Sequence, residues 1–360
     1  MSASPAIPDL LAAPYPDRSS DRDLWVLAHR PERNRLNPFR PYAYLVEEEP
    51  DSTGAILSVA TVFLTNRECP WRCVMCDLWR NTLAGPTPAG AIPAQIDYAL
   101  AELSHARHSS VSQKQSCHPE RSAKRGVEGP AFSVARTIKL YNAGSFFDAR
   151  AIPPADYPAI ADRLRSFDRV IVECHPALIG DAVLRFRDLL RGPQLEVAIG
   201  LETAHPGVLE KLNKRITLCL FQNAAEFLRA HNIDLRVFIL VQPPFMAPEE
   251  SLPWAERSLD FAFDCGATAA TLIPTRGGNG AMEALAASGD FAPPALATLE
   301  TAIGCGLGLR RGRVFSDLWD LPRAIDCPAC RDDRIARLRA MNLSQTVAAP
   351  VACISCGGSA

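Results

Sequence analysis

The chain has 360 residues, of which 48% are hydrophobic, and a formal net charge of −2 at pH 7. This length and apolar content allow one large α/β domain with appendages, or two domains. The near-neutral charge excludes the overall basic surface that dominates nucleic-acid binding, and no stretch of about 18 apolar residues predicts a membrane span.

The N-terminal arm, residues 1–55, is rich in proline and charged residues and has little periodicity. It lacks the basic start and continuous apolar core of a signal peptide. Twelve cysteines without an export signal favour metal ligands over disulfides and predict a cytoplasmic protein. The locally basic segment His29–Arg40 has two interpretations: a solvated arm that wraps around the rest of the chain, or a contact for an anionic substrate.

A predicted strand, Ile56–Leu64, leads directly into Thr65–Asp77, in which Cys69, Cys73 and Cys76 are separated by three and then two residues. A tight loop with this spacing can direct three thiolates at one centre. Three thiolates are one fewer than the four that close a tetrahedral zinc site or saturate a cubane iron–sulfur cluster. An iron with an open position can bind a substrate or cofactor. The alternatives are reduced structural cysteines, or a zinc site completed from elsewhere.

Strands and helices alternate after this loop. The five further predicted strands are Thr137–Tyr141, Arg169–Cys174, Leu195–Leu201, Leu235–Val241 and Ala267–Ile273. The predicted helices are Ile92–Leu103, Pro154–Ser166, Leu178–Arg191, Pro206–Leu212, Leu218–Ala230, Glu249–Asp264 and Pro293–Cys305. Six apolar strands that alternate with helices indicate an α/β fold, a parallel sheet covered by helices.

Residues 105–136 interrupt this alternation with a polar, basic stretch between the first helix and the second strand, where a short loop is normal. We predict a disordered insertion. Cys117 and His118 lie within it, but no second ligand pair is nearby, so a metal site there is not favoured.

The C-terminal extension, residues 276–360, begins with the Gly-rich loop Arg276–Ala281, which lacks the Lys-Ser/Thr ending of a P-loop and is predicted to be a turn above the active face. Two CxxC motifs follow, and paired motifs of this kind are a strong metal signal. Structural zinc is favoured because a closed site would stabilise a tail with little core, while an auxiliary iron–sulfur cluster would use the same ligands. The four candidate ligands are Cys327, Cys330, Cys353 and Cys356. The other cysteines of the folded region, Cys174, Cys219, Cys265 and Cys305, are predicted to be small buried side chains.

Ligands of parallel α/β sheets bind beyond the carboxyl ends of the strands. The second strand ends at Ala143-Gly144-Ser145, the third at Glu173, the fourth at Glu202 and the fifth at Gln242. Both carboxylates interrupt or close apolar strands, and a buried charge is costly unless it is paired. We therefore expect two carboxylates and a small-residue turn close to the three cysteines.

The spacing Cys-x3-Cys-x2-Cys resembles the cluster-binding signature of the radical S-adenosylmethionine (SAM) superfamily, although Met75 stands where an aromatic residue is common. The resemblance implies a [4Fe-4S] cluster on Cys69, Cys73 and Cys76, with SAM on the fourth iron. Reductive cleavage of SAM would give a 5′-deoxyadenosyl radical that removes a substrate hydrogen. The resemblance also implies a partial (β/α)6 TIM-like barrel over residues 56–275 and an electron donor of the flavodoxin or ferredoxin type.

Within that superfamily, the chain is most similar to the branch of oxygen-independent coproporphyrinogen oxidase and the elongator catalytic subunit. The resemblance places Glu173 at the SAM ribose, Glu202 at a further polar contact, and Lys214 at the SAM carboxylate, with Arg215 as the alternative for that last role. The turn expected to contact the SAM amino group consists of Asn142, Ala143, Gly144 and Ser145, with Ala143 in place of the first glycine of that branch.

The predicted function is that of a radical SAM enzyme. The cysteine stretch and Gly144–Asp148 (GSFFD) also resemble archaeosine-forming radical enzymes that modify a tRNA base, so a tRNA base and a small metabolite are both possible substrates. The rival hypothesis is a non-catalytic scaffold with zinc at both cysteine sets. No residue is predicted to be a substrate-side acid or base.

Overall fold

A computed structural model of the chain describes residues 7–108, 135–321 and 327–356. Most of the predicted insertion, with Cys117 and His118, lies outside the described residues. The described chain contains one eight-stranded sheet. Its strands are β1 Ala43–Pro50, β2 Ile56–Leu64, β3 Thr137–Asn142, β4 Arg169–Glu173, β5 Gln194–Glu202, β6 Asp234–Val241, β7 Ala269–Pro274 and β8 Arg313–Ser316.

The strands follow one another across the sheet in chain order. β1 is antiparallel to β2, and all neighbours from β2 to β8 are parallel. The predicted partial TIM-like barrel is confirmed, because all six predicted strands are present and the sheet curls into a half-barrel. We call the end at which the carboxyl ends of β2–β8 lie the mouth. β1 and β8 were not predicted; the division into arm, barrel and extension stays a prediction.

Helices supply the crossovers that parallel neighbours require. The α-helices of the described residues are α1 Ile7–Ala12, α2 Ser19–His29, α3 Ala91–His108, α4 Tyr157–Leu164, α5 Asp181–Leu190, α6 Pro206–Lys211, α7 Leu218–Ala230, α8 Pro248–Asp264, α9 Ala281–Ser288, α10 Leu296–Leu309 and α11 Arg331–Ser344, of which α3–α10 lie between parallel strands. All seven predicted helices are present. None of the described helices is long and apolar enough to cross a membrane.

The main core lies between the sheet and the helices. Alternate strand residues point to opposite faces, and one set, such as Ile138 and Leu140 of β3, is fully buried in this core. The intervening residues face the inside of the barrel. The inner face of the sheet, unlike the outer one, is not purely apolar. It carries Lys139 near the start of β3 and Glu173 at the end of β4.

Buried ion pairs fill the barrel interior at the end opposite the mouth. Arg236 binds Glu196 (Nε–Oε1 2.7 Å) and Glu49 (Nη2–Oε2 2.9 Å). Lys139 pairs with Glu49, and Arg169 Nη1 lies 2.9 Å from Glu196 Oε2. The pKa of Glu49 is lowered to about 2 because Arg236 and Lys139 outweigh its burial. Charges paired in this way are costly to break one at a time, so the network ties β1, β3, β4, β5 and β6 together.

Helix α11 contacts both edge strands, β1 and β8, and so covers the gap between them, which we call the seam. Two amide side chains satisfy the open edge of β8. Gln345 accepts from Val314 N (2.7 Å) and donates to Val314 O (2.9 Å), and Asn342 does the same for Ser316 (2.8 and 2.9 Å). These bonds take the place of part of the ladder that a further strand would make with β8.

The N-terminal arm packs across the mouth. Trp25 and Val26 of α2 form a second apolar cluster with Val74, Leu212 and Met282. The arm is therefore part of the folded mouth, and its position beside the cysteine stretch brings it into the candidate site.

Candidate active site at the mouth of the barrel

The stretch Thr65–Asp77, here called the cysteine loop, follows β2 and is held from several sides. Thr65 N donates to the Gln95 side chain of α3 (2.8 Å), and Val74 N donates to Leu212 O (3.0 Å). The Asn279 side chain donates to Val74 O (2.8 Å) and to Cys76 O (3.1 Å). A loop fixed in this way presents its side chains with little freedom, as a site for a rigid cofactor requires.

Cys69, Cys73 and Cys76 lie close enough to one another at the mouth for their charges to interact. Among the described residues, only the C-terminal cysteines form a group whose sulfur atoms all lie within 4.8 Å of one another. Burial raises the pKa of Cys76 to about 12 and that of Cys73 well above its usual range, and the neighbouring thiols raise both further. The pKa of Cys69 is also raised by burial. Three enclosed thiols that disfavour each other's ionisation are poorly stabilised as thiolates by the protein alone. A cation at their centre would reverse this, because metal ligation deprotonates thiols.

The turn after β3 lies against the cysteine loop. Gly144 has φ +126°, and a Cβ placed on it would lie 2.5 Å from the Cys69 Cβ. Only glycine permits this approach without displacement. Asn142, 1% exposed, has no hydrogen-bond partner in the described chain for either Oδ1 or Nδ2. A buried amide with both functions unsatisfied is rare in proteins and points to a missing ligand or water.

Glu173 ends β4 beside this turn, and its Oε2 accepts a hydrogen bond from Asn142 N (3.2 Å). Burial raises the pKa of Glu173 to about 8, although the Asn142 N–H and the Lys214 ammonium oppose the rise. The carboxylate has no ion-pair partner in contact among the described residues, which distinguishes it from the paired acids at the other end of the barrel.

Glu202 and Lys214 also converge at the mouth, where they form an ion pair. Lys214 Nζ donates to Gly200 O (2.7 Å), and a side chain at Gly200 would collide with both partners. The strand register shifts between Gly200 and Glu202, and Glu202 has φ +67°, so its side chain is turned into this position. Arg215, the predicted alternative to Lys214, instead binds Asp23 Oδ2 (2.8 Å).

The sequence analysis missed the contacts that the arm makes with the cysteine loop. Glu68 binds Arg30 (2.6 Å), Arg33 (2.7 Å) and Arg72 (3.1 Å). Arg30 and Arg33 belong to the basic segment for which a solvated arm was one interpretation, and the structure places them in the site. The only sequence signal was Glu68, an acid directly before Cys69 in the cysteine loop.

The ring stack of Trp71 and His175 was also missed; the ring centroids lie 3.7 Å apart. Burial, with a smaller effect of Lys214, lowers the pKa of His175 to about 4, so the ring is neutral at pH 7. His175 Nδ1 accepts from Ala177 N (3.2 Å), and Nε2 therefore carries the proton donated to Lys214 O (2.9 Å). The ring thus positions both Trp71 and the Lys214 backbone.

The C-terminal cysteines form a second group, here called the tail cysteine group. Their sulfur atoms all lie within 4.8 Å of one another, so the group can hold a metal ion. The distance is 3.8 Å between Cys327 and Cys353 and 3.9 Å between Cys330 and Cys356. Of the four cysteines predicted to be buried, Cys174 and Cys265 are buried, Cys305 is half-buried, and Cys219 on α7 is exposed.

No protein-family model matches the chain. Over 250 residues it is 25% identical to archaeosine synthase subunit beta of Methanosarcina acetivorans, an alignment that covers 67% of this chain and 64% of the relative. The chain thus spans less than two thirds of that protein.

Among solved structures, queuine lyase from Clostridium spiroforme bound to SAM and queuine is 18% identical, with a TM-score of 0.42 over 64% of this chain and 78% of that one. Coproporphyrinogen III oxidase from Escherichia coli, a radical SAM enzyme, is 12% identical, with a TM-score of 0.39 over 76% of this chain and 51% of that one. The predicted resemblance to archaeosine-forming enzymes is confirmed by the match to archaeosine synthase subunit beta.

Proposed function

We propose that the chain is a radical SAM enzyme that binds a [4Fe-4S] cluster through Cys69, Cys73 and Cys76 and binds SAM beside it. Such a cluster would supply the one-electron chemistry: an electron taken from a reduced donor protein would split SAM into methionine and a 5′-deoxyadenosyl group able to remove a substrate hydrogen. The observation that carries the proposal is a fixed loop of three cysteines, which Gly144 approaches so closely at Cys69 that no side chain fits between them.

The residues around the thiols fit such a ligand. Asn142 offers one donor and one acceptor that the described chain does not use. The backbone of the turn at Gly144 lies close to Cys69, where it can reach a group bound next to the cysteines. A zwitterionic amino acid moiety has both ammonium donors and carboxylate acceptors, so it can satisfy an amide and a bare turn together.

Glu173 is suited to a ligand that donates hydrogen bonds. A ribose diol can supply two donors to a carboxylate, and hydrogen bonds to the charged form lower its pKa. We therefore expect ligand binding to shift Glu173 from its raised pKa of about 8 towards the ionised form. Lys214, already paired with Glu202, can bind a ligand carboxylate if the two acids share its ammonium group.

For the substrate we propose a base in tRNA, with a small metabolite as the alternative. The relative named archaeosine synthase subunit beta supports the tRNA proposal. So does the charge around Glu68, where three guanidinium groups surround one carboxylate and leave a local positive surplus at the mouth. Such a surplus attracts a polyanion even though the chain as a whole is near neutral.

Anaerobic reconstitution with iron and sulfide tests the enzyme proposal. Wild-type protein should take up iron and sulfide and, when reduced in the presence of SAM, release 5′-deoxyadenosine. Cys73→Ala should lose both properties, and Cys219→Ser, which changes an exposed cysteine on α7, should keep both. A colourless protein that holds only zinc would instead support a scaffold.

A mobility-shift titration with bulk tRNA tests the substrate class. Binding at low salt that weakens steeply as salt rises is the expected result. Arg33→Ala should weaken it by removing one partly exposed cation at the mouth. Absence of binding at low salt would rule out tRNA and leave the small metabolite.

We further propose a flavodoxin- or ferredoxin-type electron donor and a cytoplasmic location. The location fits the eleven described cysteines, none of which forms a disulfide.

A further inference from the structure

We infer that the tail cysteine group holds a single tetrahedral zinc ion, and that this ion fastens helix α11 across the seam of the barrel. The inference concerns Cys327, Cys330, Cys353 and Cys356 and does not depend on the proposed function.

The sulfur distances distinguish one ion from a cluster. With Zn–S bonds of about 2.3 Å in a tetrahedron, neighbouring sulfurs lie about 3.8 Å apart. In the structure the sulfur–sulfur distances are 3.8 Å for Cys327–Cys353 and 3.9 Å for Cys330–Cys356. In a cubane cluster each thiolate binds a different iron at a separate corner, so the four sulfurs stand farther apart. The group is therefore shaped for one ion.

The surroundings suit the negative charge of zinc bound to four thiolates. Helix α11 begins at Arg331, directly after Cys330, so the positive end of its dipole faces the group. Arg334, one turn further, contacts Cys330 and forms an ion pair with the buried Glu300 of α10. Glu300 also binds Arg337 (3.2 Å).

The group and the amide contacts hold opposite ends of α11. Asn342 binds Ser316 near the mouth end of β8, and Gln345 binds Val314 further from the mouth. Helix α11 therefore runs antiparallel to β8. At a rise of about 1.5 Å per residue, its first residue, Arg331, lies about 16 Å closer to the mouth than Asn342. The ion would thus sit at the mouth end of the seam.

Apolar burial alone secures this segment weakly. Only Leu338 and Met341 of α11 are fully buried, and Val347 in the following stretch is 57% exposed. Metal binding supplies folding free energy to small segments of this kind. The ion would take the place of the core that the C-terminal segment lacks.

The zinc ion can be tested in a full chain that lacks the proposed catalytic cluster because Cys69, Cys73 and Cys76 are replaced by serine. The metal content of this variant is then measured. The expected result is one zinc per chain and neither iron nor sulfide. Iron with sulfide would overturn the inference in favour of a cluster, and iron without sulfide would overturn the choice of zinc. A metal-free protein from zinc-supplemented growth would overturn the site.

Hydrogen exchange of single-cysteine variants tests the fastening. Cys353→Ser and Cys330→Ser should lose zinc, and amides of α11 should exchange at least tenfold faster while those of β3–β6 are unchanged. Cys305→Ser, on neighbouring α10, should keep both zinc and protection. If Cys330→Ser does not fold, the test uses Cys353→Ser alone, because the Cys353 side chain is less buried. Zinc loss with unchanged α11 exchange would overturn the fastening.

Discussion

Replacement of Gly144 by alanine tests whether the close approach of the β3 turn to the cysteine loop is required for activity. The added Cβ would lie 2.5 Å from the Cys69 Cβ and 3.4 Å from its Cα. Carbon atoms prefer about 3.5–4.0 Å, so turn and loop must separate by about 1 Å. The positive φ of +126° adds strain, about 1–2 kcal/mol for a residue with a Cβ.

The expected result is a large loss of activity with a moderate loss of stability. A displacement of about 1 Å at reacting groups can lower a rate about 100-fold. Overpacking and strain together should lower the free energy of unfolding by about 2–5 kcal/mol. The rate of 5′-deoxyadenosine formation measures the first effect, and denaturant unfolding measures the second.

Gly54→Ala is the matched control, since Gly54 also has a positive φ (+86°) but nothing lies within 4 Å of its added Cβ. It should cost about 1–2 kcal/mol of stability and leave the rate unchanged. If Gly144→Ala forms 5′-deoxyadenosine at the wild-type rate, the turn does not position the cysteine loop, and the reasoning is wrong.

Three further changes test other parts of the structure. Glu173→Gln should stabilise the SAM-free protein by about 2–4 kcal/mol at pH 9 and have no effect at pH 4. The reason is that folding raises the pKa of Glu173 to about 8, so the wild-type carboxyl destabilises the fold progressively as the pH rises from the ordinary pKa of a glutamate to about 8. The substitution should also weaken SAM binding. Arg236→Met leaves Glu196 and Glu49 short of a partner and should cost about 3–5 kcal/mol in urea unfolding. Asn342→Leu removes three hydrogen bonds with Ser316 and should cost about 2–4 kcal/mol, with faster amide exchange at Ser316.

Each change has an outcome that contradicts it. An equal effect of Glu173→Gln at pH 4 and pH 9 would show that ionisation is not involved. Unchanged stability in Arg236→Met would mean that the ion network does not hold the barrel together. Wild-type exchange at Ser316 in Asn342→Leu would mean that the amide does not protect the β8 edge.

The strands that lie between helices were predictable because each is a mostly apolar run. β1, with Glu47, Glu48 and Glu49 in its second half, does not look like a strand. Its acids are matched by cations that lie far along the chain: Glu47 and Glu49 pair with Lys139, and Glu49 also with Arg236. β8 has only four residues, and amides from α11 stabilise it. Both strands depend on long-range polar contacts, which a local pattern does not contain.

Long-range contacts also limited how much of the candidate site could be predicted from the sequence. The cysteines and strand-end residues were predictable because short spacing and strand ends fix their positions. Arg30 and Arg33 were not, since their partner Glu68 lies more than 30 residues away. The choice between Lys214 and Arg215 also required the structure, where Arg215 has φ +62° and contacts the arm.

The most direct test of the whole account is the amount of 5′-deoxyadenosine released from SAM by the anaerobically reconstituted, reduced protein. The account predicts release by the wild-type protein and none by Cys73→Ala. Iron-loaded wild-type protein that leaves SAM intact, with or without tRNA, would contradict it.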